Sequence, residues 1–101
     1  MASGDADRID VEQRDDEHRF VVARGGLVAE LTYHRDGERL VLDHDGVPEA
    51  LSGQGVGSAL VRAAVDVARA SGLTLVPRCP FARRWLREHP ELTDGVAIDW
   101  H

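Results

Sequence analysis

Val47-Pro48-Glu49-Ala50-Leu51-Ser52-Gly53-Gln54-Gly55-Val56-Gly57-Ser58 leads into a run, Ala59 to Ser71, whose apolar residues repeat with a helical period. Val56, Ala59, Leu60, Ala63, Ala64, Val67 and Ala68 are spaced three and one apart, which makes a single apolar stripe on a helix. Arg62, Asp66 and Arg69 fall mostly off the stripe, and Gly72 is a helix stop. The glycines before the helix permit a tight turn and let a ligand approach the peptide N–H groups. The helix start adds unpaired donors and the positive end of the macrodipole. Together these suit a diphosphate. The same glycines also fit a purely structural turn into a core helix, and spacing alone does not separate the two readings.

Working outward, the upstream chain reads as strands. Phe20 to Ala23 is a short apolar run that ends at Gly25-Gly26, a hairpin pair. Leu27 to His34 alternates, with Leu27, Ala29, Leu31 and Tyr33 on one face. Arg35 to Glu38 is a turn, and Arg39 to His44 a third strand with Leu40 and Leu42 facing one way and Val41 the other. Downstream, Leu73 to Val76 is a fourth strand ended by Pro77. Pro77 has no N–H, so it suits a strand that leaves its neighbour. Pro80 starts a short helix with Phe81, Trp85 and Leu86 on its apolar face, and Pro90 stops it. Val96 to Trp100 is a candidate last strand. The order β-β-β-α-β-α predicts an α+β fold: a mostly antiparallel sheet, one β-α-β unit of right-handed parallel type and a short C-terminal helix.

Composition narrows the function. The first 17 residues hold seven acids and two bases, net −5, with Ile9 and Val11 as their sizeable apolar residues after Met1. A mobile acidic tail over 1–17 is expected, followed by one domain over 18–101. That domain has 10 bases and 11 acids, so the chain's net charge of −6 sits mostly in the tail. A nearly neutral domain does not read as a nucleic-acid binder. One cysteine, Cys79, allows no internal disulfide and fits a reducing compartment. No run is long and apolar enough to span a bilayer, so a cytoplasmic protein is expected. It reads as a monomer or weak dimer. The histidines show no metal-ligand spacing, and no metal is expected. Neither nucleotide fingerprint fits: a P-loop needs a lysine, and the dinucleotide pattern needs glycine where Leu60 stands.

Val47 to Gly72 resembles the coenzyme A motif of the GNAT acetyltransferase superfamily, Gln/Arg-x-x-Gly-x-Gly/Ala before a helix. Gly55 and Gly57 match its glycines, and Ser52 stands where the leading Gln/Arg belongs. His18-Arg19-Phe20, Leu42-Asp43-His44, Val47-Pro48, Cys79-Pro80-Phe81 and His89-Pro90-Glu91 extend the likeness to a subfamily of very small, YjdJ-type GNAT-like proteins over residues 18 to 94. The resemblance implies a minimal GNAT-like fold and an N-acetyltransferase that moves an acetyl group from acetyl-CoA to an amine of a protein or peptide. It implies pantetheine lying between two splayed strands, Arg39–His44 and Leu73–Val76.

On that basis Val47, Gln54, Gly55, Val56, Gly57 and Ser58 are the candidate cofactor contacts, and Arg84 is a candidate for the 3′-phosphate. Arg78, Arg83, Arg84 and Arg87 also read as a solvated helix face. His44 is a candidate base, or else a solvated edge-strand histidine. Cys79 is a candidate acid or transient acetyl carrier, or else a small buried apolar residue. Relatives often carry an acid where Gly46 stands. Asp45 lies beside it but, in a regular strand, points to the other side. In the last helix Trp85 offers no acidic proton. These departures leave two alternatives open: a non-catalytic CoA or acyl-CoA-binding module or sensor, and a small interaction domain with no cofactor.

Overall fold

A computed structural model describes residues 9–101 of the protein. Its strands are β1 (Glu12–Arg14), β2 (Arg19–Arg24), β3 (Leu27–Asp36), β4 (Arg39–Gly46) and β5 (Thr74–Pro77), and they lie in that order in one sheet. Helix α1 (Val56–Ser71) joins β4 to β5, and α2 (Pro80–Glu88) follows β5. β4 and β5 are parallel and the other neighbours antiparallel, so the α+β fold is the one expected. Gly25 and Gly26 have φ of 57° and 79° between the paired residues Arg24 and Leu27. Two consecutive positive φ values are what a two-residue hairpin loop needs to match strand twist. Among the described residues no helix is long and apolar enough to cross a membrane.

Strand alternation sorts the side chains. Phe20, Val22, Ala29, Leu31, Tyr33, Leu40, Leu42 and Leu75 share one core with both helices. α1 buries Val56, Leu60, Val61, Ala64, Val65 and Ala68, whereas Ala59, Ala63 and Val67 are half-buried. The buried stripe is thus rotated slightly from the spacing prediction. Val61 and Val65 carry more apolar area than Ala59 and Ala63, so turning them inward removes more from water.

Two expectations change at the sheet's edges. Residues 1–8 of the expected tail lie outside the described residues, but 9–17 fall inside the fold. Glu12, Gln13 and Arg14 pair with Val21, Phe20 and Arg19. Ile9 and Val11 pack against the core. The Tyr33 hydroxyl donates to Asp15 at 2.9 Å and accepts from Gln13 at 3.1 Å. Backbone pairing and this phenol hold a segment whose composition alone could not.

The last strand shrinks to one bridge, Leu75 with Ile98. Leu75 N–H donates to Ala97 and its carbonyl accepts from Asp99. Continuing the ladder on that edge would use Leu73 and Pro77. Leu73 N–H already donates to Ala68, and Pro77 has none to give. The missing donor of Pro77 therefore trims the bridge beside the C-terminal segment. It does not drive β5 away from β4.

Tyr33→Phe removes both phenol bonds and is expected to weaken the seating of β1 by about 1 kcal/mol. Amide hydrogen exchange of residues 12–14 should speed up about five-fold while that of α1 stays unchanged. Equal rates in the two proteins would show that the phenol does not anchor β1.

Candidate functional site

The site begins where the β4–β5 ladder stops. The Leu42 carbonyl accepts from both Arg78 N–H (3.0 Å) and Cys79 N–H (3.1 Å). Leu42 with Pro77 is the last β4–β5 pair, yet β4 runs on to Gly46. Its last four residues, 43–46, thus have β3 on one side and no β5 partner on the other. The chain turns away there because Cys79 is the N-cap of α2 and Pro80 its first residue.

A β-bulge re-phases that strand end. Tyr33 pairs with Leu42, but Thr32 pairs with His44, so Asp43 is an extra residue. One extra residue moves every later side chain to the opposite face. His44 now faces outward with Thr32, is exposed, and accepts the Thr32 hydroxyl on its carbonyl at 3.3 Å. Asp45 turns inward beside Leu31. This corrects the expectation that Asp45 points away.

Asp45, Val47, Leu51 and Phe81 line a cleft of about 360 Å³ with Gly53, Gly55, Val56, Gly57 and Ser58. The Asp45 Oδ1 atom is buried with no hydrogen-bond partner. Burial pushes its carboxyl above the ordinary value, and the nearby His44 offsets only part of that rise.

The turn is built by distinct local causes. Gly55 caps α1 with φ 81° and makes no side-chain cap bond. A residue with Cβ would be strained at that φ. Gly57 is in the helix proper, and a Cβ there would lie 2.8 Å from the Phe81 ring. Its glycine lets α2 approach α1 closely. The Gln54 side chain donates to the Ala50 carbonyl at 3.1 Å and accepts from Arg24 at 3.0 Å, so it braces the turn. A second, wider groove of about 720 Å³ runs over the outer face of α1 past Gly55, Ser58, Arg62, Trp85 and His89. Trp85 and His89 stack there with ring centroids 4.3 Å apart.

Of the residues singled out from sequence, Val47, Gly55, Val56, Gly57 and Ser58 come together in the cleft, with Gln54 on its turn. Arg84 is exposed on α2 and lines neither cleft nor groove. Arg83 and Arg87 lie over the Trp100 ring at 5.7 and 5.3 Å, tying down the C-terminal segment. Cys79 is buried in the core, 3% exposed, and does not line the cleft. The inward carboxyl of Asp45 was not legible in the sequence, because only strand pairing reveals the bulge.

An antiparallel sheet, one parallel β-α-β unit whose helix opens on a glycine turn, and a strand end parted from its neighbour define a small acyltransferase-type fold. The GCN5-related N-acetyl-transferase family pattern matches residues 19–95. The NMR solution structure of a GCN5-like candidate N-acetyltransferase from Staphylococcus aureus is similar, with 31% identity, TM-score 0.68, and coverage of 91% of this chain and 92% of that one. No curated protein matches. The chain belongs to the GCN5-related N-acetyltransferase family.

Two outcomes follow from the packing and charge. Gly57→Ala should cost about 1–3 kcal/mol in chemical denaturation, from overpacking on Phe81. With Phe81→Leu also present the penalty should shrink, and strict additivity would mean that the ring is not the cause. Asp45 titrates near 3.9 when unfolded and higher when folded, so the folded state holds more protons in between. Stability therefore falls as pH rises through that window. Asp45→Asn should remove the fall, so its gain in melting temperature over wild type grows as pH rises above the ordinary carboxyl range and is then retained. Parallel curves would contradict a desolvated carboxyl.

Proposed function

We propose that the protein transfers an acetyl group from acetyl-CoA to an amine of a protein or peptide. The observation that carries this reading is the N-cap of α1. Serine or aspartate at that position would bond the first free N–H groups of the helix itself. Gly55 has no side chain to make such a bond, so no cap side chain takes those donors and a diphosphate would. The N–H groups of Gln54 to Ser58 would hold it, with Val47 against the pantetheine arm. Arg62, which lines the groove beside Ser58, is better placed for the nucleotide end than Arg84. The thioester would lie along residues 43–46 of β4, where the β5 side has no ladder partner.

The reaction needs a neutral amine and a stabilised leaving thiolate. The amine enters as an ammonium and gives one proton to a base or water. Its nitrogen then bonds the acetyl carbon, the carbon–sulfur bond breaks, and a second N–H proton ends on sulfur. Among the described residues Asp45 is the one carboxyl lining the cleft, and burial raises its pKa. It would give its proton to the sulfur and take the second N–H proton in return, in place of Cys79.

A non-catalytic CoA-binding module uses the same turn. Burial of Cys79 and the absence of a hydroxyl on α2 favour that second reading.

Calorimetric titration with CoA and acetyl-CoA should give one-site binding. At about a hundred times Kd, binding adds about 2.7 kcal/mol of stability, a melting rise on the order of 10 °C. Acetyl-CoA consumption with lysine peptides and polyamines then separates the two readings. Binding without turnover selects the module, and no binding by either ligand ends both.

A further inference from the structure

We propose that CoA binding takes up a proton from solvent onto the Asp45 carboxyl, so that the ligand itself loads the group from which the reaction draws its proton. This rests on the CoA-binding reading and names the pH regulation of that site. Asp45 lines the same cleft as Gly53, Gly55, Gly57 and Ser58 of the glycine turn. Among the described residues, no arginine, lysine or histidine lines that cleft. A diphosphate there would meet peptide N–H groups and the start of α1, with no cationic side chain to offset its charge. The one fixed charge that the cleft can carry, a carboxylate, has the wrong sign.

The surroundings of Asp45 give that carboxylate little support. Its Oδ1 atom is buried with no hydrogen-bond partner. Its register partner on β3 is Leu31, and Val56 and Phe81 come from the two helices. The Tyr33 hydroxyl, on the same side of β3 as Leu31, is engaged with Gln13 and Asp15. Arg24 meets the turn at Gln54, and neither residue lines the cleft. Glu49, ahead of the turn, is exposed, as is His44. His44 is the charged neighbour that Asp45 feels, and it offsets only part of the effect of burial.

Two like charges brought into one cleft disfavour each other, and the carboxylate is the one that a proton can neutralise. Desolvation already raises Asp45 in the free protein, and a bound diphosphate pushes it further the same way. Between the free and bound midpoints the free protein is ionised and the complex is protonated. The difference is one proton drawn from solvent on binding and returned when CoA leaves. Affinity is therefore highest below the free midpoint, falls between the two, and is flat above the second. In the complex the neutral carboxyl is an O–H donor within the cleft, where the sulfur would depart.

Calorimetric titration with dephospho-CoA, which keeps the diphosphate and lacks the titrating 3′-phosphate, tests this. Repeating it in buffers of different ionisation heat counts the protons. Wild type should take up about half a proton or more per ligand at the maximum, and its Kd should weaken at least about ten-fold from about pH 5 to about pH 8. Asp45→Asn supplies the baseline for the ligand's own titration. It should take up no more than that baseline, and should bind at high pH about as tightly as wild type does at low pH. Zero uptake by wild type, or equal uptake by the two proteins, would overturn the proposal. A Kd that ignores pH but tightens with added Mg²⁺ would assign the neutralising role to a divalent cation and overturn it too. No binding of CoA or dephospho-CoA at any pH would instead strike the CoA-binding reading, and this proposal with it.

Discussion

The carbonyl of Leu42 takes two amide donors, Arg78 and Cys79, and the rest of the site hangs on that junction. A ladder carbonyl shared in this way ends the β4–β5 pairing, and Pro80 then starts a helix that carries the chain off. β4 is left with four residues that have a partner on one side. An unpaired strand end inside a protein presents backbone groups that need a partner. Under the proposed function the pantetheine arm, which has amide groups of its own, would supply one.

The bulge at Asp43 acts one residue beyond that junction. A single extra residue exchanges the two faces of everything after it. His44 leaves the interior, Asp45 enters it, and Gly46 comes to lie over Glu30. In a regular strand the histidine would face the cleft and the aspartate would be solvated. The re-phasing sets a desolvated carboxyl on the cleft side and an imidazole with a fixed carboxylate on the other.

The glycine turn shows how one motif carries two constraints. Gly55 is required by its left-handed φ and by the donors it leaves open. Gly57 is required by the Phe81 ring. Phe81 and Leu51 belong at once to the packing and to the cleft wall. In a domain this small, the core and the site share residues.

The period change at Val56, the Gly25-Gly26 loop and the proline boundaries were legible in the sequence, because each acts through local sterics or side-chain spacing. They suffice for the element order and for the place of the glycine turn. What failed to show involves partners distant in the chain. Glu12–Arg14 looked like tail because its stability comes from β2 and Tyr33, not from its own composition. Val96–Trp100 looked like a strand because Leu73 and Pro77, which limit its pairing, lie twenty residues earlier. Arg84 looked like an anion ligand because charge is visible in a sequence and direction is not.

The sequence by itself determined the α+β class, the helix with its donor-rich start and the family resemblance, since short-range periodicity and backbone freedom are written residue by residue. Tertiary structure alone decided which side of β4 each polar residue serves. Strand register is a property of two chains side by side, and a one-residue offset between them leaves no mark in either.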